Sequence, residues 1–110
     1  MTEQTTAQSK THRLMAALSV AERLTAESPI TPSNLRVDGH SDWAAPSIGV
    51  LLYFHRDPEA VRVFAEHFSL TVLRRGCGED DEYTLADGVV DGVPFRAWSL
   101  TEVKSSAVAA

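Results

Sequence analysis

Ile48-Gly49-Val50-Leu51-Leu52-Tyr53-Phe54 is apolar on both sides of an extended chain. Successive strand residues point to opposite faces, so Ile48, Val50, Leu52 and Phe54 share one face while Leu51 and Tyr53 occupy the other. Both faces need cover, and the chain offers only two helical segments to give it. A second layer is therefore expected on the Leu51 and Tyr53 side, from the chain's own first helix or from another copy of the chain.

Asp57-Pro58-Glu59, just past this strand, announces a helix over 58–69. Asp57 can accept from free backbone amides, Pro58 suits the first helical position, and Glu59 complements the positive end of the helix dipole. Val61, Phe64, Ala65 and Phe68 make its buried stripe, and Arg62 can pair with Glu59 and Glu66 on the wet side. Residues 71–75 read as a strand ending at Gly76-Cys77-Gly78, followed by the acidic turn Glu79-Asp80-Asp81-Glu82. Residues 83–90 and 93–101 pair as a hairpin around Asp91-Gly92, a dipeptide favoured in tight two-residue turns. Pro94 lacks a backbone donor and suits an edge or the first positions of a strand.

Upstream, Leu14, Leu18, Ala21 and Thr25 recur at helical spacing within 10–26, with Ala17 and Leu24 widening the stripe and Arg13, Glu22 and Arg23 turned away. Ser28-Pro29 and Thr31-Pro32 end that helix, because a residue before proline is pushed out of the helical region and proline cannot continue the ladder. Residues 34–40 form a short candidate strand with Leu35 and Val37 on one side, running into the turn dipeptide Asp38-Gly39. A loop holding Trp43 leads into the two-sided strand. The expected architecture is α+β, a mostly antiparallel sheet of about five strands with two helices. One domain over 11–103 is expected, with flexible tails at 1–10 and 104–110.

Fifteen acids against ten bases give a net charge of −5 in 110 residues, which disfavours attraction to phosphate backbones and makes nucleic acid a poor partner. The bases are eight Arg and two Lys, a bias that fits a G+C-rich bacterial genome. Cys77 is the single cysteine, so no intramolecular disulfide can form, and a reducing cytoplasm is expected. No run approaches the roughly 20 apolar residues of a spanning helix, so no membrane partner is expected.

Dedicated chemistry is sparse. His40-Ser41-Asp42 and His55-Arg56-Asp57 each place a histidine and a carboxylate two apart, on one side of an extended segment and within reach of one metal ion. The competing reading makes His40 and Asp42 turn residues and Asp57 a helix cap. Cys77 lies near Arg74 and Arg75, whose charge favours a thiolate, but the acids of 79–82 oppose it. Trp43, Tyr53 and Trp98 are candidates for partner binding, because large aromatics with a polar edge are enriched in binding patches as well as in cores. Trp98 shares a face with Pro94, Arg96 and Leu100. Either that face is the less buried and Arg96 with Trp98 forms a contact surface, or Trp98 is core and Arg96 reaches out along it.

The strand, helix, strand, strand, strand order of residues 47–101 resembles one module of the vicinal oxygen chelate superfamily, which includes glyoxalase and bleomycin-resistance proteins. The resemblance implies two such modules side by side, often through dimerisation, enclosing a cleft with metal ligands on the first and last strands. Ile48, Gly49 and Val50 open the first strand without a ligand, and Glu102 is the acid at the end of the last. What the resemblance implies here is a non-catalytic or binding-only member; for a metal-dependent one, His40, His55 and Glu102 are the residues to test. The reading that leads is a non-catalytic, cofactor-free interaction or regulatory module that pairs with itself or another protein. Its motive is surplus apolar sheet surface, which soluble monomers seldom leave exposed.

Overall fold

The computed structural model describes residues 2–40, 42–43, 48–77 and 80–102, without the side chains of residues 2–9 and of Cys77. The tail expected over 104–110 and part of the Gly-Cys-Gly turn lie outside the described residues. Seven elements follow in order: α1 (Thr2–Glu27), β1 (Asn34–Asp38), β2 (Gly49–Tyr53), α2 (Pro58–His67), β3 (Val72–Cys77), β4 (Asp81–Val90) and β5 (Val93–Glu102). The five strands form one sheet in the order β1-β2-β5-β4-β3. All neighbours are antiparallel except β2 and β5, which run parallel with Val50 opposite Phe95 and Tyr53 opposite Trp98. The fold is thus the expected α+β class, with the two-sided strand one place in from the edge.

Local chemistry sets both ends of α2. Asp57 Oδ1 accepts from the Ala60 N–H at 3.0 Å, and the Asp57 N–H donates to Ser99 Oγ at 2.8 Å, tying the start of the helix to β5. At the other end the Leu70 N–H donates to Ala65 O and the Ser69 N–H to Glu66 O, with Ser69 at φ 58°. That pair of bonds around a left-handed residue closes the last turn and satisfies two carbonyls that would otherwise lack partners. Asp91 and Gly92 both have positive φ, 51° and 79°, which gives the mirror-image turn whose twist matches the β4–β5 hairpin.

Both helices pack on the same side of the sheet. Ala60, Val61, Phe64 and Ala65 of α2 and Ala17, Val20, Ala21 and Leu24 of α1 join Val50, Leu52, Phe54, Phe95 and Ala97 in one core. The stripe expected on α1 is therefore rotated by about 80°: Leu14 and Leu18 are 43% and 52% exposed, whereas Val20 is buried. Small Ala17 and Ala21 allow the helix axis close to the sheet, while Leu14 and Leu18 at the contact would hold it away. The helix also starts at Thr2, earlier than the expected residue 10. Neither helix reaches the Leu51 and Tyr53 side, so the second layer foreseen from α1 is not there.

Replacing Asp57 with Ala removes the acceptor for the Ala60 amide and should cost about 1 kcal/mol of unfolding free energy. Urea denaturation should show this as a lower midpoint at unchanged slope, since the exposed area on unfolding stays the same.

Candidate functional site

The face of the sheet opposite the helices carries Asn34 and Arg36 from β1, Leu51 and Tyr53 from β2, Arg96, Trp98 and Leu100 from β5, and Tyr83, Leu85 and Asp87 from β4. Alternation and register place them there. Tyr53 and Trp98, opposite each other on the parallel pair, have ring centroids 4.4 Å apart. Trp98 and Tyr83 are 5.4 Å apart and nearly parallel. The three rings make an aromatic row across three strands, half-buried and lying over the wholly enclosed Leu85.

Two clefts flank Tyr53. One, of about 230 Å³, is lined by Asn34, Arg36, Leu51, Tyr53 and Trp98. The other, of about 270 Å³, is lined by Tyr53, His55, Arg56, Asp81, Leu100, Thr101 and Glu102. Here Tyr53 Oη and His55 Nδ1 share a hydrogen bond of 2.8 Å, and Asp81 stands directly opposite Glu102 in the ladder. Arg56 takes φ 49°, the left-handed turn that lets the chain leave β2 and enter the Asp57 cap.

The other end of the face is covered by Asp42 and Trp43, which lie between β1 and β2 in the chain. Trp43 lies where a side chain on Gly49 would be: a Cβ there would run into the indole and into the Pro94 carbonyl oxygen. His40 packs against Trp43 at 5.6 Å, and its Nδ1 accepts from the Asp42 N–H at 3.0 Å. Asp42 Oδ2 receives Arg96 Nη1 at 2.9 Å and Arg75 Nη1 at 3.0 Å. Arg96 also donates through Nε and Nη2 to the two oxygens of Asp87, at 2.6 and 2.9 Å, and its Nη1 lies 3.4 Å from Tyr83 Oη.

Arg96 is only 1% exposed, so it presents no free charge beside Trp98 and does not reach out along the indole. Of the residues singled out from sequence as partner-binding, Tyr53 and Trp98 sit in the row, Trp43 closes its end and Arg96 supports it from within. Asp42, Asp87 and Tyr83 were not singled out in that role. Asp87 carried a usable signal, because counting back from the two-residue turn at Asp91-Gly92 puts it opposite Arg96. Asp42 carried none, since a loop residue has no register.

The proposed metal residues divide between the two ends. His55 and Glu102 line one cleft, whereas His40 lies past the far end of β1, about 15 Å away along β2. Among the described residues no three His, Cys, Asp or Glu side chains converge on one point. Among the described residues, His40, His55 and Glu102 are not brought together as the chelate centre that the resemblance implies would require. No family model matches the chain, and no curated protein or solved structure is similar enough to it to count as a match.

Hydrogen bonds from Arg96 and then Arg75 hold the Asp42 carboxyl below its ordinary value, against a smaller opposing effect of partial desolvation. Arg96 in turn holds its proton more tightly than usual, chiefly through its bonds to Asp87 and in spite of its burial. A carboxyl depressed in the folded state contributes stability that is complete above its unfolded value and is lost as the pH falls through the folded one. The stability difference between the natural protein and an Asp42→Asn variant should hold constant from neutral pH down to about pH 4. It should shrink only in stronger acid, as read from thermal melts of both proteins across the series.

Proposed function

We propose that this chain is a non-catalytic interaction module that binds through the open face of its sheet, with a second copy of itself as the partner. The observation that carries the reading is the placement of both helices on the Val50, Leu52 and Phe54 side, which leaves the Tyr53, Trp98 and Tyr83 row without a covering layer among the described residues. Rings of this kind supply large contact area with few rotatable bonds, and they concentrate binding energy when a partner excludes water from them. A two-fold axis crossing the strands of the open face sets the aromatic row of one copy against that of the other, the self-complementary arrangement an isologous dimer requires.

Light scattering and sedimentation over a concentration series should reveal a monomer–dimer equilibrium. Trp98→Ala, folded by circular dichroism, should weaken it by about tenfold or more, the effect of removing a central aromatic anchor. A chain that stays monomeric at every concentration, or a Trp98→Ala variant that dimerises as tightly as the natural one, removes the basis for the proposal.

A further inference from the structure

β1 stands at one edge of the sheet, and its outer side has no strand beside it among the described residues. Main-chain donors and acceptors along such an edge are open to another extended chain, and proteins usually guard them with proline, a bulge or charge. β1, Asn34-Leu35-Arg36-Val37-Asp38, has no proline and runs in unbroken register with β2. Its charges are one arginine and one aspartate, two residues apart and both more than half exposed. From this pattern we infer that the edge is a contact for the same edge of a second copy, β1 against β1 in antiparallel register with Val37 opposite Val37. The contact is separate from the open face and does not depend on its use.

Charge selects that register. A two-fold axis normal to the sheet keeps both open faces on one side, so residues that stand opposite each other share a face and differ in number by an even step. Centring on Val37 sets Arg36 opposite Asp38 of the second copy, and Asp38 opposite its Arg36. Centring on Arg36 or on Asp38 sets like charges directly opposite, which destabilises a strand pair, and centring on Asn34 or Leu35 forms no ion pair. Within one copy Arg36 Nη2 donates to Asp38 Oδ2 at 2.9 Å, and Asp38 Oδ1 accepts from the Gly39 N–H at 2.7 Å. The Gly39 bond orients the carboxylate, and the remaining guanidinium donors of Arg36 point the pairing outward, so four charges alternate in sign around the axis.

On the helix side Leu35, 42% exposed, falls opposite Gly39 of the second copy, which has no side chain to exclude it. The other edge of the sheet lacks this match. β3 holds Arg74 and Arg75 with no acid, and Arg75 is engaged with Asp42, so pairing β3 with itself gathers like charge. Pairing over residues 35–39 of each copy buries less than the roughly 1,200 Å² at which standard interfaces begin, so the contact is a weak one that forms at high protein concentration. It joins two sheets into one and carries both aromatic rows on the same side.

The test uses two full-length variants, Arg36→Asp and Asp38→Arg, both in a Trp98→Ala background so that the open face does not contribute. Each places like charges opposite in the selected register and should associate severalfold more weakly than Trp98→Ala alone in a sedimentation series. Mixed in equal amounts they restore both ion pairs, and the mixture should associate severalfold more tightly than either variant by itself. Both variants remain net acidic, so bulk charge does not draw them together. Variants that associate as tightly as their parent, or a mixture no tighter than its components, overturn the contact. Arg36→Gln with Asp38→Asn, which removes the ion pairs without adding repulsion, serves should either charge reversal fail to fold; undiminished association there overturns it equally. Loss of association on Trp98→Ala with recovery in the mixture separates this contact from the proposed use of the open face.

Discussion

The parallel pairing of β2 with β5 is the contact on which the rest of the molecule depends. It joins the first strand after β1 to the last strand of the chain, so β5 must enter between β2 and the β3–β4 pair. Parallel neighbours cannot be joined by a tight turn, and the chain between them has to leave the sheet and return. It does so through α2, whose entry is bolted to β5 by the Asp57 N–H to Ser99 Oγ bond. The same pairing sets Tyr53 beside Trp98 and Leu51 beside Arg96. Core, aromatic row and buried arginine therefore all follow from one register.

That register also explains how a charged residue comes to lie inside a small protein. Arg96 occupies the middle of β5 with strands on both sides, and it is 1% exposed with Asp87, Asp42 and Tyr83 gathered around its guanidinium. Asp87 opposite and Asp42 from the loop make the enclosure tolerable, because a buried charge is retained where its donors are met by acceptors. Tyr83 adds its ring, 5.9 Å from the guanidinium carbon, and its hydroxyl. Polar and aromatic parts of the face are one structure, since Arg96 supports the Tyr83 ring that stacks on Trp98.

How far the sequence could be read depended on the range of the forces involved. The α2 cap, the Asp91-Gly92 turn and the double-sided strand were legible because each is set by neighbours a few residues away. The α1 stripe was read off-centre, with Ala17, Ala21 and Leu24 buried as expected but Leu14 and Leu18 exposed, because helical periodicity ranks residues by hydrophobicity alone, whereas packing on a sheet selects for size. Ala17 and Ala21 were thus the informative residues, not Leu14 and Leu18. Tyr53 and Trp98 were flagged singly, and their meeting across two parallel strands is a long-range event that no local pattern encodes. Likewise, His40 and His55 looked equivalent as histidine and carboxylate pairs, yet the length of β2 separates them.

Leu14, Met15 and Leu18 lie along the outward side of α1, with Met15 61% exposed. The molecule therefore has apolar surface on its two opposite sides, one aromatic and flat, the other aliphatic and ridged. Contacts that reuse both sides in sequence do not close on themselves and run on as fibres, whereas contacts of like with like terminate at a pair. The two sides are unequal in a way that bears on this choice. Glu22 and Arg23 accompany the aliphatic ridge on α1, and Arg23 is engaged with Asp91 at the hairpin tip, so polar groups interrupt the ridge where they do not interrupt the row. For the self-association proposed above, that inequality favours a finite assembly over an open-ended one.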